Sequence, residues 1–146
     1  MKKILFDTSF LIAAMVEDDD FHESAEKWYQ QAVDKKFIAY MALHSYAELY
    51  NTLTIYPTTP KISPSTAWLL IQQFIDGIIN VIALSHDDYR QTLQQMSTLG
   101  IRGGTIYDSL IAKAAQLAEV DELFTFNSRH FELVLPEKSI KIIVPQ

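Results

Sequence analysis

Cysteine is absent from the 146-residue chain. Disulfides, thiolate zinc sites and cysteine nucleophiles are excluded with it, and a reducing compartment is compatible without being required. Also missing is any apolar run near the ~20 residues that a bilayer-spanning helix needs. The N-terminal stretch MKKILFDTSFLIAAMVEDDD sets two lysines ahead of apolar residues. Asp7 interrupts that run early and no small-x-small site follows, so it does not read as a signal peptide. A soluble, cytoplasmic protein without membrane contact is expected. Positive charge is scarce: 12 Lys and Arg face 18 Asp and Glu, a formal net charge of −6. That disfavours indiscriminate phosphate binding but leaves a nucleic-acid enzyme open, because a cation-dependent site is itself acidic. The four histidines, His22, His44, His86 and His130, have no metal-ligand spacing, and no serine has an evident His–acid pairing. Zinc and catalytic-triad hydrolases are therefore disfavoured.

Internal repeats, low-complexity tracts and domain boundaries are lacking too, so residues 1–146 are expected to form a single domain. With 49% apolar residues, a chain of this size buries about 68–70% of its unfolded surface. KILFD (3–7) reads as a buried strand that ends in a carboxylate, and SFLIAAM (9–15) as a short helix. In 18–36, Asp20 and Glu23 make a cap-like start before apolar residues at helical spacing. FIAYMA (37–42) is a second strand. LHSYAELYNTLTIY (43–56) has helical periodicity, with apolar residues at 43, 46, 47, 50 and 53. PTTPKISPS (57–65) holds three of the five prolines and reads as a connector, after which 65–78 resumes helical spacing; Trp68 is expected in the core. NVIALS (80–85) is a third strand, 86–100 a helix stopped by Gly100, and RGGT (102–105) a turn leading into a helix over 106–119. ELFTF (122–126), SRHFELV (128–134) and IKIIV (140–144) read as strand, short helix and strand. Strands separated by helices imply parallel pairing and a three-layer α/β/α sandwich with a mainly parallel central sheet. Sites in such sheets gather beyond the carboxyl ends of the strands, which places Asp7 and Asn127 on that edge.

Four polar residues each carry two readings. Asp7 caps the following helix or serves a site; Thr8 and Ser9 would cap equally well. Glu48 is either a helix-surface glutamate beside His44 or a functional carboxylate, and it is the only charge from Tyr46 to Tyr50. Asp108 fits a capping box with Thr105, yet small residues at Ala112 and Ala115 leave room beside it. Asn127 either starts an Asx turn or joins the site. Together they supply hard oxygen ligands of the kind that suit Mg²⁺ or Mn²⁺. The acidic run at 17–20 reads as a solvated turn.

The ordered set ILFDTSFLIA, AEL, IYDSLIAKAA and LFTFNSRHF resembles the motifs of PIN domains, in particular VapC-type toxins of bacterial toxin–antitoxin pairs. The resemblance covers nearly the whole chain and implies a PIN-like fold. It implies Asp7, Glu48 and Asp108 as the metal-holding, catalytic cluster, with Asn127 at a fourth position that is often acidic. It matches Thr8 or Ser9 to the hydroxyl that supports the cluster; from the sequence itself, Thr105 is a further supporting candidate, and Arg129, Lys113 and Arg102 are candidate phosphate contacts. The activity implied is Mg²⁺- or Mn²⁺-dependent endonucleolytic cleavage of RNA. Three neighbouring carboxylates repel one another, so at least one pKa should be raised until a cation binds. The implied partners are an RNA substrate, a VapB-type antitoxin and a second copy of the chain, with the helical pair around 57–65 in the contacts. The alternatives are a PIN-type maturation or decay nuclease without antitoxin, and a non-catalytic RNA- or protein-binding module. A haloacid-dehalogenase-type phosphatase would want a second Asp at position 9, where Ser9 stands.

Overall fold

The computed structural model describes residues 1–135 and 139–146. Among them lie five strands and seven helices, in the order β1 (Lys3–Phe6), α1 (Thr8–Met15), α2 (His22–Val33), β2 (Ile38–Ala42), α3 (Ser45–Ile55), α4 (Pro64–Ile75), β3 (Ile79–Ile82), α5 (His86–Leu99), α6 (Thr105–Leu117), β4 (Glu122–Phe124), α7 (Ser128–Val134) and β5 (Lys141–Ile143). The strands form one sheet ordered β3-β2-β1-β4-β5, and every pair is parallel. The chain therefore winds outward from β1 to β3, crosses over, and winds outward again through β4 and β5. The crossing leaves a switch point between β1 and β4, where open α/β sheets form a crevice at their carboxyl edge.

Alternation along the strands divides the core in two. Ile4, Phe6, Ala39, Met41 and Phe124 join α1 to α4 on one face, while Leu5, Ala42 and Leu123 join α6 and α7 on the other. Buried on both faces, residues 4–6 of β1 form an unbroken apolar run rather than an alternating one. Phe6 stacks on Phe10 at 4.1 Å and meets Phe124 at 5.9 Å, which fixes α1 over the β1–β4 junction. No helix among the described residues is long and apolar enough to cross a membrane.

Several boundaries differ from the sequence expectation, each for a local reason. α2 starts at His22 with Phe21 in the N-cap position and no side-chain cap; Asp19, not Asp20, turns its carboxylate to the Phe21 N–H at 2.9 Å. Pro64 takes the first turn of α4 behind the Ser63 cap, where a missing N–H costs nothing. The fourth strand stops at Phe124, leaving Thr125 and Phe126 in the exit loop. In α3 the buried positions are Ser45, Leu49 and Leu53, so the apolar residues at 43, 47 and 50 point outward. Trp68 is 54% exposed rather than in the core.

Candidate active site

Asp7 follows β1 directly and is the N-cap of α1, accepting the Phe10 N–H at 2.9 Å. It is 2% exposed. Two hydroxyls complete its hold: Ser9 donates to Oδ1 at 2.7 Å and Thr125 to Oδ2 at 2.6 Å. Each hydroxyl also accepts a backbone N–H from the β4 exit loop, Ser9 from Phe126 at 3.0 Å and Thr125 from Asn127 at 2.8 Å. The end of β1 is thus laced to the end of β4 across the switch point. Capping and site roles coincide at Asp7, and Ser9 orients it as the sequence suggests.

Glu48 reaches the same edge from α3. Thr8 donates to its Oε1 at 3.0 Å and lies 3.2 Å from Ser45 Oγ. Thr8 therefore steadies Glu48 rather than Asp7. His44 Nε2 stands 3.3 Å from Glu48 Oε1 but is out of line for a hydrogen bond. Asp108 comes from the first turn of α6. The capping box expected there is not formed: Gly104 holds the N-cap position without a side-chain bond. Asp108 Oδ2 instead meets His130 Nδ1 at 2.6 Å, and Thr105 is buried in the helix start. Asn127 precedes α7 and its side chain makes no capping hydrogen bond, so the Asx-turn reading is replaced by an amide at the mouth of the site.

Asp7, Thr8, Ser9, Glu48, Asp108 and Asn127 all line one cleft of about 380 Å³. Burial pushes the Asp7 pKa up to about 6 against the pull of Thr125, Phe10 and Ser9, with the Asp108 charge adding to the rise. Asp108 is also raised, by burial first and by the Glu48 charge as well, while His130 opposes the shift. Raised carboxylate pKa values were expected from mutual repulsion; desolvation is the larger cause of both. Among the described residues no three of His, Asp and Glu are grouped closely enough to hold a metal ion as they stand. The donor chemistry nonetheless suits a hard divalent cation. His130 engages only Oδ2 of Asp108 and Thr8 only Oε1 of Glu48, so each carboxylate keeps an oxygen to offer.

The sequence model of the PIN domain matches residues 4–134. The chain belongs to the PIN domain family. No curated protein is matched by its sequence. Among solved structures, the Mycobacterium tuberculosis toxin VapC20, described as cleaving the sarcin–ricin loop, superposes with a TM-score of 0.70 at 15% identity, over 88% of this chain and 92% of its own. VapBC2 from Rickettsia felis, bound to a promoter DNA fragment, gives 0.66 at 16% identity over 97% of both chains. FitAcB from Neisseria gonorrhoeae gives 0.62 at 17%, again over 97% of both. At such identities the likeness is one of fold.

Within this PIN domain the cations singled out in the sequence are not part of the cleft lining. Lys113 donates to Gln91 at 2.9 Å, and Arg102 and Arg129 are exposed. Two participants give no signal in the sequence: Thr125 looks like an ordinary strand residue, and Asp19 is hidden in an acidic run. His130, by sequence a solvated loop residue or a phosphate contact, pairs with Asp108 instead. Asp19 in fact lines the cleft and accepts the Tyr56 hydroxyl at 2.7 Å.

Proposed function

We propose that this PIN domain is a divalent-metal-dependent endoribonuclease and the toxin of a VapBC-type pair, restrained by a VapB-type antitoxin. The observation that carries this reading is the arrival of Asp7, Glu48 and Asp108 from three separate elements on one cleft at the switch point. Nothing in the packing of a fold requires three carboxylates there, and their placement costs stability through burial and repulsion. These three residues would hold Mg²⁺ or Mn²⁺. When bound, the cation would supply Lewis-acid polarisation of the scissile phosphate and an acidified water for in-line attack.

The protein's own contribution is positional. Asp7 is held at three points, so its orientation is set before any ligand arrives. Thr8 and His130 do the same for Glu48 and Asp108. Asn127 offers a neutral amide at the cleft, which can donate to a phosphate oxygen without adding to the repulsion. Outside the cleft, Tyr46, Ala47, Tyr50, Trp68 and Ile71 line an apolar groove of about 500 Å³ between α3 and α4, a surface suited to an antitoxin segment or a second copy.

The test is induced expression of wild type and Asp7→Asn in a bacterial host, with growth recorded and new RNA 5′ ends sequenced. Arrest with discrete new ends in the wild type alone is the expected result. Soluble protein with neither arrest nor new ends would move the reading to a maturation nuclease or a binding module.

A further inference from the structure

We propose that Phe21 is a stacking shelf for an unpaired base of the RNA beside the scissile phosphate, an inference that rests on the nuclease reading and adds a substrate contact to it. Phe21 lines the same cleft as the three carboxylates and is 50% exposed. Its ring lies on that of Phe126, 4.4 Å away and 8° from parallel. Phe126 in turn lies 9° from parallel to Phe10 at 6.2 Å, and Phe10 is fully buried. Three nearly parallel rings thus run from the core to the cleft, and the last stacks on Phe126 while half of it stays exposed.

The backbone of each outer ring is pinned to the site. Ser9 Oγ accepts the Phe126 N–H, and Asp19 Oδ1 accepts the Phe21 N–H. Phe21 also occupies the N-cap position of α2 and makes no cap hydrogen bond, where Ser, Thr, Asp or Asn would be preferred. A large aromatic side chain there is unfavourable for the helix and half wasted for the core.

The surrounding charge decides what could lie on the ring. Asp7, Asp19, Glu48 and Asp108 share the cleft, so phosphate is repelled wherever a bound cation does not offset them, whereas the uncharged face of a base is not. Asp19, fixed by the Tyr56 hydroxyl and the Phe21 N–H, stands beside the shelf as an acceptor for N–H groups on a base edge. Unpaired RNA bases stack readily on phenylalanine, and the contact tolerates any base because each has a π face.

The experiment uses the full chain as wild type, Phe21→Trp and Phe21→Leu, with folding checked by urea unfolding. Leucine keeps the apolar packing on Phe126 but removes the flat face; tryptophan keeps both. Binding of short single-stranded RNAs, with 2-aminopurine moved through successive positions, is followed in Ca²⁺ by fluorescence quenching. Cleavage in Mg²⁺ is measured separately. Wild type and Phe21→Trp should quench at one or two adjacent positions, and Phe21→Leu should lose the quenching and bind about tenfold more weakly. Equal Kd and equal quenching in Phe21→Leu would overturn the shelf, even if the wild type cleaves RNA. Quenching by a wild type that cuts nothing would uphold the shelf and remove the nuclease reading; neither quenching nor cleavage would remove both. If Phe21→Leu keeps RNA quenching but loses hold of a co-expressed antitoxin, the ring serves a protein and the RNA shelf falls.

Discussion

Burial and hydrogen bonding pull Asp7 in opposite directions, and burial prevails, leaving its pKa at about 6. The consequence for stability has a definite sign. Below about pH 4 folded and unfolded chains both hold the proton; between about 4 and 6 the folded chain keeps it while the unfolded chain releases it. Stability falls as pH rises through that window, by on the order of 3 kcal/mol, and stays lower above it. In chelator, Asp7→Asn should therefore be more stable than wild type at pH 8, with the gap closing towards pH 4, as read from urea midpoints; parallel curves would refute the shifted carboxylate. Thr125→Val removes a donor from a buried anion and should cost about 1.5–3 kcal/mol at pH 8, again by urea unfolding; a loss below about 0.5 kcal/mol would mean that the hydroxyl is not holding Asp7. At this scale, charged residues that interrupt apolar sequence were legible. Asp7, Glu48 and Asp108 stand out as charges set among apolar residues, and although each has a local reading as a cap or surface group, the three together point to one site. Thr125 gave no such signal, since threonine is common in strands and its partner lies 118 positions away.

Helices and strands were legible in type but less so in phase. The periodicity of 43–56 is genuinely helical, yet two apolar faces compete for it: Leu49 and Leu53 with Ser45 against the core, and Tyr46, Ala47 and Tyr50 along the groove beside α4. A single sequence does not distinguish an apolar stripe that meets the core from one that waits for a partner. The same ambiguity put Trp68 inside, although it is more than half exposed. Trp68→Ser should therefore change unfolding stability by no more than about 0.5 kcal/mol, while weakening self-association or antitoxin capture measured by light scattering. Destabilisation of several kcal/mol with assembly unchanged would show that the tryptophan belongs to the core after all. α6 shows the opposite kind of miss. Thr105 and Asp108 have the spacing of a capping box, but His130, brought close only by the packing of α7 on α6, offers Asp108 a stronger partner.

For the whole molecule, the parallel sheet and its three layers follow from the alternation of strands and helices, whereas the strand order does not. That order creates the crevice between β1 and β4 and draws Asp7, Glu48 and Asp108 towards it from distant parts of the chain. If the proposed nuclease reading holds, a formal charge of −6 means that an RNA substrate would have to be recruited by something other than bulk attraction, through a bound cation and contacts with bases. The most direct measurement of the central claim pairs stability with cleavage in wild type and Asp108→Asn as Mg²⁺ or Mn²⁺ is titrated into chelator-treated protein. Shared carboxylates predict that the wild type gains thermal stability by mass action and begins to cut RNA over the same range of metal concentration. Asp108→Asn should start more stable in chelator, gain little from metal and cut at least a hundredfold more slowly, roughly the loss expected from removing one strong electrostatic contact to the transition state. Equal metal stabilisation and equal cleavage in the two proteins would contradict a common site built on Asp7, Glu48 and Asp108.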